Sequence, residues 1–384
     1  MEKTHEAERL PILDLTRAYR EIREEVLEAV TRVFDSQGFI LGPEVRSFEE
    51  HVESYLEMKQ GRVVGCASGT DALLLALMAL EVGPGDEVIT TPYSFFATAG
   101  VVARLGARAV FADIDPMTFN VSLKEVEKKI TSRTRVFLPV HLFGQTVPLE
   151  GVRELCAERG IAIVEDAAQA LGAWRHVDGA IVRAGLMGDV GCYSFFPTKN
   201  LGGCGDGGMI VTRSDELAAR LLRLRVHGES SLYRHEEVGL NSRLDALQAA
   251  VLDVKLRHLE RWNAERRVLA DRYRMFFEME RLVGPVTLPV EAEGNHHIYH
   301  QYVVRVERRD ELMAHLEEKG LSTRVYYPIP LHLQPCFSFW GHREGDFPES
   351  ERLSREALAL PIFPGLKPEE QERLVKGMAA AMRR

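Results

Sequence analysis

The stretch Ser194-Phe195-Phe196-Pro197-Thr198-Lys199-Asn200-Leu201-Gly202-Gly203-Cys204-Gly205-Asp206-Gly207-Gly208 sets a single lysine between an aromatic run and a glycine run. A lysine amine forms a Schiff base with an aldehyde when its surroundings desolvate it and lower its proton affinity. Upstream, Asp166-Ala167-Ala168-Gln169 follows an apolar run, Ile161 to Val164. A lysine and an acid in this relation suit pyridoxal phosphate, whose ring nitrogen needs an acidic partner. The stretch is not a phosphate-binding P-loop, because its lysine precedes the glycines and no Gly-Lys-Ser/Thr follows.

Outward from this stretch, the first half of the chain alternates short apolar runs with helical patterns. Strands are expected at Arg62 to Cys66, Glu87 to Thr90, Arg108 to Phe111, Arg135 to Pro139 and Ile161 to Val164. Helices are expected at Thr70 to Leu80, Phe95 to Arg104, Leu123 to Ile130 and Leu149 to Arg159. Such alternation implies crossover units and a mostly parallel, buried sheet, an α/β architecture with ligands beyond the carboxyl ends of strands. Asn241 to Glu280 has helical periodicity and no proline, and reads as one long helical bridge. After Gly284-Pro285 the pattern changes: Gln301 to Val306 and Leu321 to Val325 read as strands and Asp310 to Lys319 as a helix. This predicts a large domain over 1–262 and a smaller α+β domain over 263–384.

The 384 residues suit two domains, and the net charge of −9, with acids and bases interspersed, argues against nucleic acid or an anionic membrane as the main partner. Five scattered cysteines with no Cys-x-x-Cys read as reduced thiols of a cytoplasmic protein. The charged start, Met1 to Glu6, lacks an apolar signal core. The longest apolar run, Ala72 to Leu80, is too short to span a bilayer.

Several segments carry candidate chemistry. Ser68-Gly69-Thr70 follows a strand and opens a helix, so it is an anion site or simply a cap. Phe95 offers a ring to stack on a flat heterocycle or to pack in the core; Phe96 reads as core. Asp166, at a strand end, is where a ligand meets a carboxylate, or it caps a helix. Its neighbour Glu165 should point the other way by strand alternation. Gln169, one turn on, would reach a ring's phenolic oxygen. Ser194 is a second phosphate donor. His296, His297 and His300 cluster, but no carboxylate or cysteine joins them at ligand spacing, so no metal is expected.

Together, Gly38-Phe39-Ile40-Leu41-Gly42-Pro43, Ser68-Gly69-Thr70-Asp71-Ala72-Leu73, Glu165 to Gln169, the Lys199 run, Gly239-Leu240-Asn241-Ser242-Arg243-Leu244 and Leu360-Pro361 occur in an order similar to that of the DegT/DnrJ/StrS sugar-nucleotide aminotransferases. These use pyridoxal 5'-phosphate on the type I aminotransferase fold. The resemblance implies that Lys199 carries the cofactor as a Schiff base, Asp166 pairs with the pyridine nitrogen, Gln169 with the phenolic oxygen, and Phe95 stacks. It places Gly69, Thr70 and Ser194 on the phosphate, with Asn241 supplied by the second subunit of a homodimer; by itself Asn241 also reads as a helix cap. Gly42, Arg243, His300, Tyr326 and His332 match positions near the sugar nucleotide.

The reaction implied is amination of a nucleotide-linked keto-sugar by glutamate, in polysaccharide, glycan or antibiotic-sugar biosynthesis. Ser-Phe-Phe-Pro before the lysine and Gly-Asp-Gly-Gly after it are similar to members acting on 3-oxo sugars. Alternatives are a 4-oxo substrate, a dehydratase on the same fold (disfavoured because lysine is present), and a non-catalytic sugar-nucleotide-binding regulator.

Overall fold

The computed structural model describes residues 9–383; the charged start Met1 to Glu6 lies outside the described residues. Two helices come first, α1 (Leu15–Ser36) and α2 (Pro43–Tyr55). Then the chain alternates: β1 (Arg62–Cys66), α3 (Gly69–Ala79), β2 (Glu87–Thr90), α4 (Ala97–Arg104), β3 (Arg108–Phe111), α5 (Leu123–Lys129), β4 (Thr134–Leu138), α6 (Val152–Glu158) and β5 (Ala162–Asp166). A hairpin, β6 (Trp174–Val177) and β7 (Ala180–Arg183), precedes β8 (Val190–Ser194) and β9 (Gly208–Thr212), which bracket the Lys199 run. After α7 (Asp215–Leu224), a short ribbon of β10 (Glu229–Ser231) and β11 (Arg234–His235) leads to α8 (Ala246–Leu256) and α9 (Leu259–Met279). The rest comprises β12 (Val286–Thr287), β13 (Asn295–His296), β14 (Tyr302–Val306), α10 (Arg309–Glu318), α11 (Pro348–Glu356), β15 (Ala357–Leu360) and α12 (Pro368–Met382).

The central sheet has seven strands in the order β1-β9-β8-β5-β4-β2-β3. From β8 to β3 all pairs are parallel, and β9 runs antiparallel to both its neighbours. Every residue of β2 and β9 is buried, as a sheet covered on both faces requires. One covering layer holds α3 and α4 against Val64, Val88, Val164 and Ile210; the other holds α1, α2 and α8 against Val63, Tyr193 and Val211. Strand alternation sends successive residues of each strand to the two layers, so both become apolar cores.

A second sheet, β12-β14-β15, is antiparallel and packs with α10, α12 and the end of α9. Leu10, near the start of the described chain, packs into that same core. Helix α9 serves both regions: Leu259 and Trp262 belong to the core with α1, α2 and α8, whereas Leu269, Tyr273 and Phe277 belong to the smaller one.

Two expectations fail. Asn241 to Glu280 is not one helix: residues 241–245 lead in without helix, and the helix breaks at Arg257-His258 between α8 and α9. Leu321 to Val325 is not a strand. Single bridges, Leu321 to Leu10 and Arg324 to Ala359, replace a continuous ladder. Its alternating burial satisfies the period-2 pattern without neighbouring strands to pair with along its length.

Candidate active site

Asp166 ends β5, with its backbone N–H donating to Pro139 O (2.9 Å) and its carbonyl accepting from His141 N (3.0 Å). Its Oδ2 accepts from Thr98 Oγ1 (2.8 Å) and its Oδ1 from Ala168 N (3.2 Å). Thr98 Oγ1 lies 3.0 Å from Ser94 Oγ, so the loop entering α4 holds the carboxylate. Burial pushes the Asp166 pKa up, and the positive field of Lys199 opposes part of that rise. Lys199 shows the mirror effect: burial lowers its amine to about 8, partly countered by Asp166. An amine near 8 is free often enough at neutral pH to attack a carbonyl.

Gln169 lies in the turn after β5 rather than on a helix. Its Oε1 accepts from Phe143 N (2.7 Å) and its Nε2 donates to Tyr327 Oη (3.2 Å). Tyr327 in turn lies 6.3 Å from the Phe95 ring, which is 56% exposed and therefore open to a stacking partner. Phe96 is not core: it is 45% exposed and stacks on Phe337 at 5.2 Å and 8°.

Ser68 caps α3 through Asp71 N (3.1 Å), leaving the amides of Gly69 and Thr70 in the first turn, where no intrahelical acceptor exists. A Cβ on Gly69 would sit 2.5 Å from Ser194 Cβ. Only glycine lets β8 come this close to the helix end, and this puts the Ser194 hydroxyl beside the amides. Gly208 plays the same part, since a Cβ there would meet the Ser68 carbonyl carbon at 2.4 Å. A helix N-terminus with a hydroxyl beside it forms a phosphate cradle.

His300 is 6% exposed, its Nδ1 has no hydrogen-bond partner, and burial with the charges of Lys199 and Arg266 holds its pKa well down. It is thus a neutral polar group near Lys199. The other two histidines diverge: His296 stacks on Trp174 and His297 on Tyr299. Gly42 starts α2 and Arg243 lies on a facing segment, joined through the Ile40–Asp245 bridge. The Tyr326 carbonyl accepts from Tyr93 Oη. His332 instead joins a separate cluster, with Nε2 3.0 Å from Glu351 Oε1 and its ring against Phe347.

Asn241 is exposed and does not cap α8, whose N-cap is Asp245. The next residue, Ser242, bonds Asp71 Oδ2 (2.7 Å) and Ala67 N (3.2 Å), tying this segment to the start of α3 in the same chain. Glu165 points away from Lys199, as alternation predicts, into a pocket with His141. Sequence reasoning missed Thr98, Tyr93 and Tyr327. The signal for Thr98 is its place three residues after Phe95; nothing local marks the other two as partners, because they meet from positions 93 and 327.

These residues fit pyridoxal phosphate: an amine with a lowered pKa, a buried acid whose charge reaches it, a phosphate cradle that a Cβ would close, and an exposed ring on the loop beside Thr98. A model of the DegT/DnrJ/EryC1/StrS aminotransferase family matches residues 20–379. The chain belongs to that family. It is 47% identical over 370 residues to a pleiotropic regulatory protein of Geobacillus stearothermophilus, covering 96% of this chain and 98% of the relative. It is 41% identical over 366 residues to the UDP-N-acetyl-3-dehydro-alpha-D-glucosamine 3-aminotransferase of Acidithiobacillus ferrooxidans, covering 95% and 96%. Among solved structures it is similar to S. venezuelae DesV in complex with a ketimine intermediate, with a TM-score of 0.92, 42% identity and coverage of 98% and 99%. NtdA of Bacillus subtilis, solved with the cofactor PMP, gives 0.89 and 32%, with coverage of 100% and 87%. This member of the DegT/DnrJ/EryC1/StrS family is a pyridoxal-phosphate-dependent aminotransferase with the type I fold.

Proposed function

We propose that this aminotransferase places an amino group on carbon 3 of a nucleotide-linked keto-sugar, with glutamate as donor. The observation that carries the reading is Lys199, its amine lowered to about 8 opposite the buried Asp166. The bound cofactor supplies an aldehyde that captures amino groups and a ring that spreads the negative charge left when a proton leaves carbon.

The chain's own residues do the rest. Gly69 and Thr70 amides with the Ser194 hydroxyl bind the phosphate. Phe95 would stack on the ring, Gln169 would donate to its phenolic oxygen, and Asp166 would keep its nitrogen protonated. Lys199 holds the cofactor at rest. When free, its Nζ would take a proton from carbon and give it back, as general base and then acid. The overall exchange would turn glutamate into 2-oxoglutarate and the keto-sugar into the amino sugar.

His300, Tyr326, Gly42 and Arg243 form the side offered to the sugar nucleotide; His332 matches a position there too, although its ring is held by Glu351 in a separate cluster. Asn241 completes the phosphate site of a second copy, making a homodimer with composite sites. We assign the enzyme to the cytoplasm on the reading of its five scattered cysteines as reduced thiols; no described helix is long and apolar enough to cross a membrane.

Support for carbon 3 comes from Ser-Phe-Phe-Pro and Gly-Asp-Gly-Gly around Lys199, from the Acidithiobacillus relative, and from others named for 3-amino or 3-oxo sugars. Glutamate as donor rests on the family resemblance. The Geobacillus relative is named for regulation, but a binding-only role leaves no use for a depressed lysine opposite a buried acid. The test incubates enzyme and glutamate with 3-oxo and 4-oxo forms of one nucleotide sugar and locates the new nitrogen by NMR. Amination at carbon 4 overturns the regiochemistry; a product without nitrogen overturns the transaminase reading for these substrates.

A further inference from the structure

The loop between β2 and α4 does more than carry Phe95. Tyr93, 0% exposed, is pinned by its own N–H donating to Thr91 Oγ1 (3.1 Å). Its hydroxyl donates to the Tyr326 carbonyl and accepts from Tyr327 N (2.9 Å), so one oxygen holds both sides of a single peptide link. A second tie, Leu331 N to Pro92 O (2.7 Å), fastens the same segment six residues before Phe337, which stacks on Phe96. The segment therefore cannot slide along the loop without breaking buried bonds. What it presents is the Tyr327 hydroxyl, which accepts from Gln169 Nε2, and the Tyr327 ring, 6.0 Å from that of Tyr93 and 6.3 Å from that of Phe95.

We propose that Tyr93 is a positioning residue that fixes Tyr327, and that Tyr327 orients the Gln169 amide toward the cofactor's phenolic oxygen. A primary amide has two N–H donors and rotates about its terminal bond. With Oε1 held by Phe143 N and one N–H held by Tyr327, the second N–H of Gln169 has a single direction left. That donor stabilises negative charge on the oxygen and so lowers the pH at which the Lys199-bound cofactor loses its proton. This rests on the assignment of Lys199 and Gln169 made above.

The experiment is a pH titration of the absorption spectrum of the holoenzyme for wild type, Tyr93→Phe, Tyr327→Phe and the double variant, with steady-state kinetics on the aminated substrate. Both single variants should move the spectral midpoint upward by about half a unit, the size of one modest hydrogen bond, and lower kcat/KM roughly tenfold. The double variant should lose no more than Tyr327→Phe, because Tyr93 acts through that hydroxyl. An unmoved midpoint with reduced activity makes Tyr93 merely structural and overturns the proposal; so do losses that add in the double variant. Should Tyr93→Phe fail to fold, Tyr327→Phe leaves both backbone bonds intact and carries the midpoint test alone. Wild type without a titrating cofactor band would sink the Lys199 assignment instead, a result separate from either outcome.

Discussion

Glu165 and Asp166 are adjacent on β5 and face opposite layers of the sheet. Glu165 accepts from His141 Nε2 (2.6 Å) and from the amides of Gly185 (2.8 Å), Met187 (2.7 Å) and Gly188 (2.6 Å). Asp166 has one hydroxyl and one amide, and burial drives its pKa up. The two are about equally buried, at 0% and 5% exposed. The difference is that one carboxylate has its bonding capacity filled by protein, whereas the other keeps capacity open toward Lys199. A buried acid left short of partners is costly to a fold, and that cost marks a position serving chemistry.

Removing the group that Asp166 faces gives the largest effect. Lys199→Ala should lower turnover by at least about a thousandfold, since anchor and proton carrier go together. Its absorption band should vanish as well; a borohydride-reducible adduct surviving in that variant would assign the Schiff base to another lysine.

The two neighbours themselves should then part company. Asp166→Ala is expected to cost at least about a hundredfold in kcat at saturating cofactor, with a modest change in melting temperature. Glu165→Ala should do the reverse. It strands His141, two buried amides and a half-buried one, so we expect a loss of about 3–5 kcal/mol in stability, with near-normal turnover in the fraction that remains folded. Chemical denaturation alongside kinetics on both variants checks this, and comparable kinetic losses would erase the distinction.

The pH response sharpens it further. The folded Lys199 pKa, about 8, lies below the ordinary lysine value of 10.5, so the buried ammonium is disfavoured. Destabilisation from this group is absent above the unfolded value, grows as pH falls through that window, and is complete below about 8. Capture of added cofactor by apo-protein should accordingly rise with a midpoint near 8 and then level off. A rate still climbing past pH 10 would mean an unperturbed amine.

The smallest effect concerns what lies across the cradle from this pair. Lys199→Ala and Asn241→Asp subunits, each impaired alone, should regain about a quarter of wild-type activity on equal mixing, since half the dimers are hybrid and each hybrid has one intact site. No recovery in confirmed hybrids would favour the same-chain arrangement to which Ser242 already ties this segment.

Much of this was legible in the sequence where the physics is local. The strands at Glu87–Thr90 and Arg108–Phe111 have the bounds read from their apolar runs. The opposite facing of Glu165 and Asp166 follows from strand alternation alone. What escaped was set by distant segments. Thr98 acquires its role only when the start of α4 meets the end of β5, 68 residues later, and Tyr93 and Tyr327 only when the loop after β2 meets a turn more than two hundred residues later. The break at Arg257-His258 has no proline or glycine to announce it. Phe96 reads as core from its apolar character, yet it is 45% exposed and stacks on the ring of Phe337.

Helix α9 also has a consequence for how the molecule comes apart. Its 21 residues span about 30 Å, with Trp262 seated in one core and Tyr273 in the other. Melting either core would strip half of this helix of its packing, and a bare helix of some ten residues does not persist in water. The two regions should therefore unfold in one cooperative step, with tryptophan fluorescence and far-UV circular dichroism tracing the same transition.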